Sequence, residues 1–238
     1  MTPSTTLHPL HRADGSATFT NPLFTILAAV NGPLEAPRRD ELPDAALLDI
    51  HIRPAHGVGG PRERWIEYDV LAPLLRHVVV LTRTHPRALI QVIVQVVREE
   101  ELGRQVRDVA FVAAVVNAVG LALVEGGITV GKMVAAAWAG VDGEGRVVVE
   151  PEKGIGGNCW RSVHAMAFTA GGEMVLGVQE GVFTLEMGKR VTRELRRVCV
   201  EAMAKEDQSG DENMETKPWL REALESDARR ANAWRELG

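Results

Sequence analysis

The chain has 238 residues, 45% of them hydrophobic, and a formal net charge of -5, enough apolar material for one α/β domain with a full core or for two small ones. The acidic balance excludes a protein that holds nucleic acid by bulk positive charge, so any RNA contact has to come from a local basic patch. Two cysteines, Cys159 and Cys199, exclude a disulfide framework in a chain this large and fit a reducing compartment.

The opening stretch, MTPSTTLHPLHRADGS, has no basic start followed by an apolar run and does not read as a signal peptide. Residues 1–13 are expected to form a flexible tail carrying His8 and His11. Asp14-Gly15-Ser16 signals a turn before the alternating SATFT, and residues 23–30 form an apolar run that Asn31-Gly32-Pro33 is expected to break. Residues 47–54 alternate Leu48, Ile50 and Ile52 with Asp49, His51 and Arg53, a half-buried strand. A loop with Gly57, Gly59, Gly60 and Pro61 leads into a helical pattern from Trp65 to Val78, where Pro73 predicts a kink or break.

Residues 88–97 read as a strand buried on both faces, and residues 106–125 as a long helix closed by Gly126-Gly127. The apolar run 109–124 is short for a membrane span and contains Asn117, so it reads as a buried core helix, with no membrane contact. Two hairpins follow, one turning at residues 142–145 and one at 170–172, and then helical spacing over 184–205. The domain is expected over 14–205, an acidic linker over 206–217 and a C-terminal helix over 218–238. Trp219, Leu220, Leu224, Ala228 and Trp234 form a stripe on that helix, which docks either on its own domain or on a partner. The order of strands, helix, strand, helix, strands and helix predicts an α/β (α+β) sandwich with hairpins, not a doubly wound sheet.

Few motifs carry chemistry. Residues 126–132 have the glycine and lysine spacing of a P-loop, but Met133 stands where a hydroxyl must meet magnesium, and the motif follows a helix, so it reads as a helix cap. The histidines His8, His11, His51, His56, His77, His85 and His164 show no ligand spacing, and no metal site or cofactor is expected. There is no nucleophile elbow and no cysteine-centred motif, and Asp142 and Glu144 read as turn residues. The arginines are the exception. Arg53, Arg62, Arg64, Arg76, Arg83 and Arg87 fall within one loop, the following helix and the next loop, and the planar guanidinium fork suits phosphate. These residues alone do not separate an RNA contact from a solvated charged surface.

The order of segments resembles the RNase PH family. DGSATF followed by a strand ending in NGP, the string RRDELPDAALLDIHIRPAHGVGGPRERWIEYDVLAPLLRHV, the strand RTHPRALIQVIVQVV and the helix end NAVGLALVEGGI carry the likeness, over about residues 14–204. It is strongest to the RNase-PH-like ring subunits of the eukaryotic exosome. The resemblance implies a β-α-β-α sandwich, pairing with another RNase-PH-like subunit inside a six-membered ring, S1/KH cap subunits, RNA in a central channel and an associated exoribonuclease. It also implies residence in nucleus, nucleolus and cytoplasm.

Active members of the family phosphorolyse RNA with a Gly-Thr-Arg-Thr phosphate grip and two aspartates for a divalent ion. Here the grip falls on Ala110-Phe111-Val112-Ala113, and the aspartates fall near Gly157 and Val163, with only Glu150 and Glu152 nearby. Arg76 matches a family arginine whose neighbour falls on Pro73. The resemblance therefore implies a non-catalytic subunit with no catalytic residues and no cofactor. An active nuclease using Glu150, Glu152 or Asp142 is the alternative. The loop 53–64 matches the channel neck, which raises Arg62 and Arg64 as RNA-backbone contacts, while Arg53, Arg83 and Arg87 are open to fold or subunit roles.

Overall fold

Alternating apolar residues in the first half build a five-stranded sheet. A computed structural model describes residues 3–80, 82–101, 103–151, 160–204 and 218–233. Strands β1 (Ser4–Leu7), β2 (Gly15–Thr20), β3 (Phe24–Glu35), β4 (Leu47–Arg53) and β5 (Ala88–Glu99) lie in the order β1-β2-β3-β5-β4. All neighbours are antiparallel except β4 and β5, which run parallel. A parallel pair needs a crossover, and residues 61–79 supply it as one helical segment. It comprises α1 (Pro61–Trp65), wider π-helical turns (Ile66–Leu71), a single turn α2 (Ala72–Leu74) and a second π stretch (Leu75–Val79). The helix continues across Pro73; lacking an N–H there, its ladder widens on both sides and does not stop.

The helix α3 (Arg104–Glu125) runs between the two sheets. The second sheet has the order β7-β6-β8-β9, built from β6 (Val134–Val141), β7 (Val147–Val149), β8 (Ser162–Thr169) and β9 (Met174–Gly181). Helix α4 (Leu185–Met203) lies on its other face, against β6 and β8. This stacking explains why every residue of β6 and β8 is buried: one set of side chains meets α3 and the alternate set meets α4. By length and composition α3 would span a bilayer, but sheets cover both its sides, and its lone polar core residue, Asn117, is satisfied by the backbone of β6. Gly15 lets β2 approach the end of α3, because a Cβ there would sit 2.3 Å from the Ala122 carbonyl. Gly127 closes that helix at φ +66°, as the cap reading expects.

Three expectations need correction. Residues 1–13 are not a tail throughout: β1 pairs with β2 over residues 4–7, and His8 Nδ1 lies 2.8 Å from Glu125 Oε1. Asn31-Gly32-Pro33 does not end β3, which runs to Glu35 with a register shift between Asn31 and Leu34, an irregularity that accommodates a residue without an N–H. And β5 is buried on one face only. Ile90, Val92, Val94 and Val96 are fully buried, whereas Leu89, Gln91, Ile93 and Gln95 are half-buried. Helix α5 (Trp219–Asn232) docks on its own domain, with Leu220 buried and Trp219 against Phe19 at 5.5 Å between ring centroids. The linker 206–217 and Trp234 lie outside the described residues.

Candidate nucleic-acid interface

The parallel pair sets the geometry of the basic segment. Strand β4 ends at Arg53, and the chain turns through residues 54–60, with Gly57 at φ +99°, before Pro61 starts α1. Between strand end and helix start lies an open cleft of about 300 Å³, rimmed by His51, Arg53, Val58 and Arg64. Its acids face the backbone. Glu67 Oε1 accepts the Ile52 N–H at 2.5 Å, and Glu63 Oε2 accepts the Gly60 N–H at 2.7 Å, the reciprocal half of a capping box. Burial alone pushes the Glu63 carboxyl up, but the N–H groups of Gly60 and of Glu63 itself, with Arg62, outweigh it and hold it below the ordinary carboxylate range. Arg53 and Arg64 are exposed and make no ion pair among the described residues, so the cleft presents two free guanidinium groups.

Arg62 departs from the expectation. Its side chain is 12% exposed. Its Nε donates to Glu63 at 2.8 Å, its Nη atoms engage Glu99, and its Cζ stacks 4.5 Å over the Phe111 ring. Two positions along a helix turn a side chain by about 200°, so Arg62 points into the core where Arg64 points out. Its donors are spent on carboxylates, leaving no fork for a phosphate.

The six arginines do not form one patch. Leu47 lies opposite Leu89 and Arg53 opposite Gln95, so the two ends of the parallel pair are roughly 20 Å apart at the rise of a strand. Arg53 and Arg64 sit at one end. Arg83, on a short turn (Thr82–Thr84), and Arg87, just before β5, sit at the other; Arg87 has φ +62° and pairs with Glu41 at 3.0 Å. Arg76 is exposed in the second π stretch, twelve residues along the crossover helix from Arg64. Trp65, which opens the apolar pattern of this helix in the sequence, is 36% exposed, and Tyr68, which that pattern does not include, is 69% exposed; each lies within about one helical turn of Arg64. Their signal was the gap in the apolar spacing, since Ile66, Val70, Leu71, Leu74 and Leu75 fill the buried face without them.

The positions matched to phosphorolytic chemistry lie elsewhere. Residues 110–113 are buried within α3, Ala110 being its seventh residue, so their N–H groups belong to the helical ladder. Val163 is buried in β8, and Gly157 and Glu152 lie outside the described residues. Glu150 is half-buried, and burial pushes its carboxyl up to about 7. Lys132 pairs with Glu173 at 2.6 Å, and Asp142 accepts the backbone N–H groups of Glu144 and Arg146, as turn carboxylates do. Among the described residues no three histidine, cysteine, aspartate or glutamate side chains gather to hold a metal ion.

Comparison with known proteins fits this architecture. The model of the 3' exoribonuclease family, domain 1 (RNase PH), matches residues 4–129. The chain belongs to the RNase PH family. Within it, the chain is similar to the exosome complex component RRP46 of Saccharomyces cerevisiae, 30% identical over 205 residues that cover 78% of this chain and 88% of that protein. It is 31% identical over 150 residues to the exosome complex exonuclease RRP46 homolog of Oryza sativa, covering 63% and 59% respectively. The crystal structure of rice Rrp46 superposes with a TM-score of 0.66 at 25% identity, covering 81% of this chain and 90% of that one. The two sheets with α3 between them and α4 outside are thus an RNase PH-like fold.

Proposed function

We propose that this chain is a non-catalytic ring subunit of an exosome, paired with other RNase-PH-like subunits beneath S1/KH cap subunits, where it helps guide RNA toward an associated exoribonuclease. The observation that carries the non-catalytic part is the burial of residues 110–113 inside α3. An anion grip needs free N–H groups, which only the first turn of a helix offers, and here that turn begins at Arg104. With no arginine at Phe111 or Val112, developing charge on a phosphate has nothing to stabilise it there. The RNA-guiding part rests on Arg53 and Arg64, two free cations flanking an open cleft, with the exposed rings of Tyr68 and Trp65 close by for base stacking.

Two measurements test the reading. The purified chain, given labelled RNA, inorganic phosphate and magnesium, releases no nucleoside diphosphate above a blank; clear release restores the alternative of an active phosphorolytic nuclease. In the assembled ring, Arg53→Ala with Arg64→Ala weakens RNA protection and lowers the salt slope of binding by about 0.7 for each phosphate no longer neutralised. Unchanged protection and slope remove the cleft from the RNA path.

A further inference from the structure

Helix α4 carries a second basic surface, far from the cleft. Its buried face is Val191, Leu195, Cys199 and Ala202, packed on β6 and β8. On the opposite side the 3.6-residue repeat brings Lys189, Arg193 and Arg196 into one row, with Arg190 and Arg197 beside it. All five are exposed. Arg197 is engaged by Glu194 at 3.6 Å and Glu201 at 3.5 Å. Lys189, Arg190, Arg193 and Arg196 make no ion pair among the described residues, although Glu186 stands one turn before the first of them. Arg196 lies across the β8–β9 turn, where a Cβ on Gly172 would come within 2.6 Å of its Nε. In a chain of net charge -5, four unneutralised cations on three successive turns of one helix concentrate positive potential on one face.

We propose that the outer face of α4 is a binding track for the phosphate backbone of single-stranded RNA, with Lys189, Arg190, Arg193 and Arg196 as its contacts. Three of the four are arginines, whose forks match phosphate oxygens. Their row follows a straight helical edge, a shape suited to an extended polyanion. A protein partner would need an apolar or aromatic anchor at the centre of its contact. The outward positions between Lys189 and Arg197 hold none, and the exposed Val182, Phe183 and Leu185 all lie before the first cation. Backbone recognition needs only charge. The track lies across the second sheet from α3, whereas the Arg53–Arg64 cleft adjoins the first sheet, so the two surfaces share with the proposed function only the identity of the polyanion.

The test uses the full chain and a fluorescent single-stranded oligouridylate, with binding followed by anisotropy over a range of salt. Replacing the four cations together (Lys189→Gln, Arg190→Gln, Arg193→Gln, Arg196→Gln) lowers affinity at low salt by more than about tenfold and lowers the salt slope by up to about 0.7 per cation, with an unchanged thermal melt. Arg190→Lys, Arg193→Lys and Arg196→Lys together keep the charge and keep the slope. Wild-type affinity and slope in the four-glutamine variant overturn the track, whatever Arg53→Ala with Arg64→Ala does in the same assay. Loss of the slope in the lysine variant overturns the electrostatic assignment. Tighter binding of polyglutamate than of RNA of equal charge assigns the face to an acidic protein segment and overturns the RNA reading.

Discussion

Arg62 closes a fork on Glu99 across 37 residues of sequence, Nη1 meeting Oε1 at 2.5 Å and Nη2 meeting Oε2 at 3.1 Å. The pair ties the first turn of α1 to the end of β5, and so fixes where Arg64, two residues on, leaves the helix. Removing Arg62 from this half-buried pair leaves Glu99 with only the more distant Arg107, 3.8 Å away, at a cost below the roughly 3–5 kcal/mol of breaking a fully buried pair. Arg62→Ala is therefore expected to lower the urea midpoint, through Glu99 and Glu63 together. Arg64→Ala, at an exposed position, stays within about 0.5 kcal/mol of wild type. A midpoint for Arg62→Ala that matches the Arg64→Ala value would show that the fork contributes little.

Asn117 does for β6 what a neighbouring strand would do. Its side chain donates to the Ala136 carbonyl and accepts the Ala136 N–H, both at 2.8 Å, on the stretch of β6 that β7 does not reach, since that pairing covers only residues 139–141. Asn117→Ala strands both backbone groups, each at roughly 1–3 kcal/mol. Asn117→Asp keeps the acceptor but loses the donor and buries a charge, so it is expected to be at least as damaging. Equilibrium unfolding of the two variants beside a surface control, Arg104→Ala, checks this. An Asn117→Ala variant as stable as that control would mean that water replaces the amide.

The fold was legible wherever one period governed a segment. The strands over 47–53, 134–141 and 162–169 and the helix over 104–125 announce themselves by alternation, length or a glycine cap. The misreadings have local causes. Gln91 and Gln95 already broke the apolar run of β5 every fourth residue, a mark of one half-open face. Residues 4–7 lack an apolar pattern because an edge strand buries little, and only its pairing with β2 makes it a strand. The arginines failed differently. Helical positions two residues apart point to opposite sides, so proximity in sequence could not separate Arg62, turned to Glu99, from Arg64, nor reveal that β4 and β5 hold Arg53 and Arg87 at opposite ends. The cations of α4 were readable at helical spacing, but only the burial of Val191, Leu195 and Cys199 on one side establishes which side faces out.

Two titrating groups give stability opposite dependences on pH. Burial lowers the His164 pKa from its ordinary 6.5; its Nε2 meets Ser162 Oγ at 2.9 Å, and its buried Nδ1 has no partner among the described residues. The unfolded chain then takes up a proton that the folded chain refuses, so this contribution is present above pH 6.5 and is lost as pH falls toward the folded value. Glu150 is the reverse case, raised from 4.5 to about 7 by burial. Its contribution is complete below pH 4.5 and is lost as pH rises through about 7. In Glu150→Gln, stability is expected to rise with pH up to 6.5; in His164→Gln it is expected to fall with pH up to about 7. Denaturation midpoints across pH 5–8 measure both slopes, and parallel profiles for the two variants would contradict the assignment.

The C-terminal helix belongs to the core of this domain. Its apolar residues are spent internally: Leu220 is 2% exposed, Trp219 meets Phe19, and Leu224 packs on the same cluster. The helix touches α4, β1 and α3, so it braces the short edge strand that the amino terminus contributes. Its outer face carries the pairs Arg221–Glu225, Arg229–Glu225 and Arg230–Asp227, and Ala228 is exposed, which leaves no outward apolar stripe for a partner among the described residues. Leu220→Ala is expected to cost about 2–5 kcal/mol, as large-to-small changes in a packed core do. Arg229→Ala, on the outer face, stays near zero. Truncation after Ala204 exposes Phe19 and the β1 edge, lowering the melting temperature by more than Leu220→Ala does and increasing protease cleavage near residues 4–10. A truncated chain that melts with the full-length protein would show that α5 rests on the domain without supporting it, and would leave its apolar face available to another subunit.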